Sequence, residues 1–320
     1  MDSVAYLVLC HSVDEQLDIL LDTLTEDPRS HVYVHLDEKT EVNGPIKGAE
    51  DKLLRNTFIA DRRRVNWGGY SVVDATLRLL RTALQNQRHT HFVLISAACF
   101  PISSPKITND KIENISTGLF SIWGPIDPDL RSNEGHGRYV VSKFHPYDWE
   151  RINPKRGIFF ERGWKLYKNL LGKLPLERRV SIEDLWKGSQ FFVASRNVAE
   201  FLAQPHPELV RTLKHALAPD EIYFNTLFVR FMREQGENVR FADPNSHEQG
   251  THFITKRVPA FRTIKQKLLE PIDLRRLSAE DVGALQNSGA LFARKCSPNV
   301  SRAMIAFWKK SQDIEQKPAA

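Results

Sequence analysis

Short, wholly apolar runs alternate along the first hundred residues with stretches in which apolar positions recur every three or four residues. Val4 to Cys10 is a continuous run of apolar and β-forming residues, the pattern of a strand covered on both faces. Ser12 followed by Glu15 predicts a capping box, and Val13, Leu17, Leu20, Leu21 and Leu24 then share one helical face. A second strand is expected over 31–37, a weaker third over 57–60 and a fourth over 91–96. Between the last two, Ser71 and Asp74 predict the cap of a helix striped by Val73, Leu77, Leu80 and Leu84. This order of elements predicts an open α/β sheet. Ligands of such sheets bind beyond the carboxyl ends of the strands, so His11, Asp37 and the segment from Ser96 to Pro101 become the first functional candidates. His11 and His35 are equally readable as satisfied histidines at strand ends.

The pattern then loosens. Leu119 to Trp123 suggests a strand, whereas 143–180 is irregular and rich in Lys, Arg and aromatic residues, among them Phe144, Tyr147, Trp149 and Trp164. Such rings either line a glycan groove or form a local core. A strand is expected again at Ser189 to Ala194, followed by a short helix capped by Ser195. Pro219-Asp220-Glu221 opens a longer helix reaching about Gly236, with Pro and acids where a first turn favours them. Residues 244–275 read as a basic loop, Ser278 and Asp281 as the start of a helix, and 301–320 as a basic amphipathic tail carrying Phe307, Trp308, Lys309 and Lys310.

Composition narrows the class. The chain has 320 residues, 41% hydrophobic and 26% charged, a globular balance. Forty-five Lys and Arg against 39 Asp and Glu leave a net charge of +6, which suits an anionic partner without choosing one. Three cysteines are too few and too scattered for a disulfide framework. No apolar run is long enough to span a bilayer, and the start lacks the signal-peptide pattern, so a cytoplasmic protein is expected. The glycine motifs of P-loop and dinucleotide sites, the G-x-S-x-G elbow, C-x-x-C and H-E-x-x-H are all missing. One D-x-D, Asp127-Pro128-Asp129, reads either as a divalent-metal site or as a turn.

Six further segments stand out in order. They are His35-Leu36-Asp37-Glu38-Lys39, Asn66-Trp67-Gly68-Gly69-Tyr70-Ser71, Leu94-Ile95-Ser96-Ala97-Ala98-Cys99-Phe100-Pro101-Ile102, Gly188-Ser189-Gln190-Phe191-Phe192, Ala218-Pro219-Asp220-Glu221 and Leu291-Phe292-Ala293-Arg294-Lys295. Together they resemble glycosyltransferase family 14, the core-2/I-branching β-1,6-N-acetylglucosaminyltransferases and peptide O-xylosyltransferases. The resemblance implies an α/β fold of the variant GT-A kind, a Rossmann-like open sheet with an irregular insertion on the acceptor side. It also implies inverting, metal-independent transfer from a UDP-sugar, with no cofactor and basic side chains in place of a metal at the diphosphate. Carried over residue by residue, Glu221 matches the family's base and Lys295 its diphosphate lysine. Arg275 and Arg276 are the nearest candidates for its partner arginine, Asp37 matches the uridine-side acid, and Trp67, Gly68 and Gly69 match a wall near the sugar. His11 and Ser96 complete the expected donor pocket at the strand ends. The family's acid in the fourth-strand motif is Cys99 here, a departure on the donor side of the pocket.

The chemistry agrees with these roles. In-line displacement at an anomeric carbon needs one base for the incoming hydroxyl and positive charge on the departing diphosphate. Taken alone, an acid in a first helical turn is ordinarily there for the dipole, and a lysine such as Lys295 is ordinarily a solvated charge. The resulting expectation is one domain over 1–300, with a nucleotide-binding half at 1–105 and an acceptor half at 106–300, followed by the tail. The chain resembles a bacterial-type, catalytic-domain-only member. N-acetylglucosamine or xylose is the expected sugar, and a hydroxyl of an oligosaccharide or lipid-linked glycan the acceptor. The enzyme is expected in the cytoplasm or at the inner membrane face, where the basic tail would meet anionic lipid. Two alternatives stand beside it: a metal-dependent transferase using Asp127 and Asp129, and a non-catalytic basic protein binding nucleic acid or membrane. The second lacks any nucleic-acid-recognition motif.

Overall fold

The structure, a computed structural model, describes residues 2–41, 56–130, 137–149, 183–242 and 288–315, with isolated positions and short pieces at 163, 166, 178, 181, 248–249, 252–253, 279 and 282–286. The strands are β1 (Ser3–Cys10), β2 (Ser30–Leu36), β3 (Asn56–Phe58), β4 (His89–Ser96), β5 (Cys99–Pro101), β6 (Gly118–Pro125), β7 (Trp186–Ser195), β8 (Glu248–Gln249), β9 (His252–Phe253) and β10 (Phe292–Arg294). The helices are α1 (Glu15–Leu24), α2 (Ser71–Leu84), α3 (Pro105–Glu113), α4 (Tyr139–Ser142), α5 (Arg196–Ala203), α6 (Pro207–Leu213), α7 (Asp220–Glu234), α8 (Val282–Gln286) and α9 (Pro298–Glu315).

The main sheet has the order β3-β2-β1-β4-β7-β6. Strands β1 to β4 within it are parallel, while β7 runs antiparallel to β4, and β6 antiparallel to β7. The expected α/β architecture is therefore present. Its apolar runs are buried because helices cover both faces: Val4 to Val8 and Phe92 to Ile95 are at most 1% exposed. On α1, Leu17, Leu20 and Leu24 are fully buried, each contributing about 1.5–3 kcal/mol by leaving water.

Two helix starts differ from the expected capping. Asp14, not Ser12, caps α1, accepting from the Leu17 N–H at 3.1 Å, while Ser12 Oγ donates to Asp14. Val13 consequently lies outside the helix and is exposed. Ser71 is the first residue of α2 rather than its cap, and its hydroxyl is engaged elsewhere. The third strand is Asn56–Phe58, ending before Ala60.

A second, small sheet has the order β5-β10-β9-β8. Its β10 pairs antiparallel with β5, setting Ala293 opposite Phe100 and Arg294 opposite Cys99. The stretch expected as a tail from residue 301 is the continuation of α9, which begins at Pro298 and packs on α1 and α8. Met304 and Trp308 are buried. Trp308 stacks on Phe100 and donates from Nε1 to the Ile102 carbonyl at 2.7 Å, and Ser301 Oγ donates to Gln16 Oε1 at 3.0 Å. Among the described residues no helix is long and apolar enough to cross a membrane.

Candidate active site

Because β7 is antiparallel to β4, the start of β7 lies at the same end of the sheet as the carboxyl ends of β1, β2 and β4. The candidate side chains gather at this end. Asp37 follows β2, and its N–H donates to the Cys10 carbonyl at 2.8 Å, tying the ends of β1 and β2 together. Its carboxylate, buried at 6% exposure, accepts the N–H groups of Lys39 (2.9 Å) and Val65 (3.3 Å) and lies 3.6 Å from Lys39 Nζ. Lys39 Nζ in turn donates to the Val65 carbonyl and to Asn66 Oδ1. Asp37 thus fastens the H-L-D-E-K turn to the segment before Trp67. His11 is exposed, and its carbonyl accepts from Thr40 Oγ1 at 2.8 Å. His35 is a structural histidine: it is buried, its Nε2 accepts the Arg63 N–H at 2.9 Å, and burial lowers its pKa and keeps it neutral.

The W-G-G turn needs its glycines for two different reasons. Gly68 has φ of 81°, in the left-handed region. At Gly69 a Cβ would fall well inside van der Waals contact of Asp148 Oδ1. That carboxylate accepts both from Ser71 Oγ (2.5 Å) and from the Ser71 N–H (3.1 Å), so it caps α2 from a distant part of the chain. Trp67 is left 62% exposed, edge-on to the buried Tyr147. The described part of the aromatic segment therefore divides: His145 and Tyr147 are core, whereas Trp149 is 54% exposed.

The turn also reaches the acid-bearing helix. The Gly68 carbonyl accepts the Ala218 N–H at 3.0 Å, directly before Pro219, which occupies the cap of α7 rather than its first turn. Glu221, in the first turn, is one-third exposed, and its Oε2 lies 3.2 Å from Nζ of Lys187, a β7 residue with an 8% exposed side chain. Asn225 Nδ2 donates to the carbonyls of Glu221 (3.0 Å) and Ser189 (2.9 Å), stapling this turn to β7. Such an approach requires Gly188, where a Cβ would collide with the Ser121 carbonyl and Asn225. Asp220 is buried with Oδ1 lacking a hydrogen-bond partner, and burial, then the Glu221 charge, pushes its pKa up to about 7. Lys187 is the residue that sequence reasoning missed. A strand lysine carries no motif, and only its burial against an acid marks it.

The last motif arrives through β10. Its pairing with β5, extended by the Cys296 N–H donating to the Ala98 carbonyl at 2.9 Å, sets half-buried Lys295 beside the loop that follows β4. Arg294 lies over the Phe191 ring at 4.7 Å, with its Nε buried and lacking a hydrogen-bond partner. Ser96 points its N–H and hydroxyl at Cys99 Sγ (3.4 and 3.3 Å), and burial raises the pKa of this thiol and keeps it neutral. Arg275 and Arg276 lie outside the described residues. Asp127 and Asp129 are exposed, and Asp127 Oδ1 accepts the N–H groups of Asp129 and Leu130, the hydrogen bonding of an Asx turn. Among the described residues no group of three or more His, Cys, Asp or Glu is arranged to hold a metal.

One side of the sheet end thus offers a fixed, accessible carboxylate with an aromatic wall, and another offers cations at the mouth of β4. That is the equipment for deprotonating a hydroxyl and receiving an anionic leaving group. In comparison with known families, the model described as Core-2/I-Branching enzyme matches residues 4–269, which include every motif above except that of β10. No curated protein matches the chain.

Proposed function

Because the chain belongs to the Core-2/I-branching enzyme family and is a glycosyltransferase, we propose that it catalyses inverting transfer from a UDP-sugar to a glycan hydroxyl, with Glu221 as base. The observation that carries this reading is the setting of Glu221. Its carboxylate is accessible and lies 3.2 Å from Lys187 Nζ, and its backbone is fixed by the first turn of α7 and by Asn225, at the end of the sheet where the strand ends converge. In the reaction, the acceptor O–H gives its proton to Glu221 as its oxygen bonds the anomeric carbon. The bond to the β-phosphate oxygen breaks on the opposite side, and its electron pair leaves with UDP. Lys295 stands at the diphosphate as a point charge, with Arg275 or Arg276 as its partner and no divalent metal required. Asp37, His11 and Ser96 border the nucleotide, and Trp67 offers its exposed face to a sugar. N-acetylglucosamine and xylose are the donor sugars to try first, with free and lipid-linked glycans as acceptors. The free thiols of Cys10, Cys99 and Cys296 suit a reducing cytoplasm.

The test is a screen of UDP-sugars by UDP release in excess chelator, with the product's mass and anomeric configuration read afterwards. We expect release with one donor, unaffected by chelator. Release that disappears on chelation would favour a metal-dependent reaction, and no UDP binding by calorimetry with or without metal would end the proposal.

A further inference from the structure

We propose that Lys187 is a positioning residue for the base: its ammonium, anchored in β7, holds the Glu221 carboxylate in one orientation for the acceptor hydroxyl. This rests on the reading of Glu221 as base and adds the group that sets its orientation. A lysine is rarely buried without a partner, since desolvating an ammonium is costly. Here the Lys187 side chain is 8% exposed, and its Nζ lies 3.2 Å from Glu221 Oε2.

Both ends of the pair are fixed by backbone. Lys187 sits in the β6–β7 ladder opposite Gly124. Glu221 sits in a helical turn that Asn225 ties to β7.

The neighbouring acid shows that the cation sits at an acidic corner. Asp220 and Glu221 are adjacent at one helix start, and Asp220 is buried with Oδ1 unpartnered. Burial, then the Glu221 charge, pushes the Asp220 pKa up to about 7, and the Lys187 charge opposes that rise. The Lys187 ammonium thus faces both acids from β7. In the cycle it orients the base.

The experiment measures transfer by the full chain carrying Lys187→Met or Lys187→Arg, with UDP affinity read by calorimetry. For Lys187→Met we expect kcat to fall roughly 10- to 100-fold near pH 7 while UDP affinity stays within about twofold. Lys187→Arg should restore most of kcat. Wild-type kcat in Lys187→Met would overturn the proposal. So would a loss of kcat with no rescue by Arg, which marks a lysine that only supports the fold. If Lys187→Met does not bind UDP, Lys187→Gln is judged by the same criteria. Failure of the base assignment itself is seen separately, as full activity in Glu221→Gln whatever the Lys187 variants do.

Discussion

Residues that look alike in the chain hold different positions in the fold. Ser12 and Ser71 both have the spacing of a helix cap, yet the cap of α1 is Asp14 and α2 is capped by Asp148, 77 residues away. Local spacing could show that a helix begins there, but not which distant carboxylate satisfies its first N–H groups. Gly69 carries a prediction from this contact. Gly69→Ala must displace the Asp148 carboxylate and with it both bonds to Ser71, so stability should fall by about 1–3 kcal/mol in denaturant unfolding. Gly69→Ala combined with Asp148→Ala should cost less than the sum of the two changes, because they damage one contact; a fully additive pair would argue against this packing. The same locality explains Lys187. Nothing near it in the chain distinguishes it from a solvated lysine, and its partner is 34 positions on.

Among the elements, the apolar runs and helical stripes were readable because burial on a parallel sheet leaves a strong mark on sequence. The expected strands at 31–37 and 91–96 correspond to β2 and β4, with ends shifted by one or two residues. The β5–β10 pair was not readable, since two three-residue strands almost 200 positions apart carry no periodicity of their own. The amino-terminal end of the sheet has its own chemistry. His89, at the start of β4, is buried and hydrogen-bonded to Ser3 of β1 (2.7 Å) and Tyr33 of β2 (2.8 Å), and burial lowers its pKa to about 4. A histidine that is harder to protonate when folded stabilises the protein above its unfolded pKa of about 6.5, and that contribution is lost as pH falls toward 4. Unfolding free energy should therefore decline across this window, by an amount on the order of a few kcal/mol from His89. His89→Gln should flatten the decline; an unchanged slope would assign it to other groups.

At the scale of the whole molecule, one end of the sheet collects motifs spread from residue 35 to residue 295. H-L-D-E-K meets the segment before W-G-G through Lys39, W-G-G meets P-D-E through Gly68 and Ala218, and P-D-E meets the start of β7 through Glu221 and Asn225. The order of these motifs was visible in the chain, and so was the family. The contacts between them were not, because most involve a backbone group or a side chain outside the motifs, and residue spacing does not show which pairs the fold brings together. Lys295 lies beyond the matched residues, and the tertiary pairing of β10 is what brings it to this end. Lys295→Ala should weaken UDP binding about tenfold or more, as expected for the loss of one charge-assisted phosphate contact; unchanged affinity would remove it from the diphosphate.

The central claim is that Glu221 takes the acceptor's proton, and the most direct measurement is kcat of Glu221→Gln at saturating donor and acceptor, in a protein shown to bind UDP normally. The glutamine keeps the shape and cannot serve as base. We predict a fall of roughly 10²- to 10⁴-fold, the usual contribution of a positioned general base. A variant turning over within a few fold of wild type, with UDP binding intact, would contradict the account.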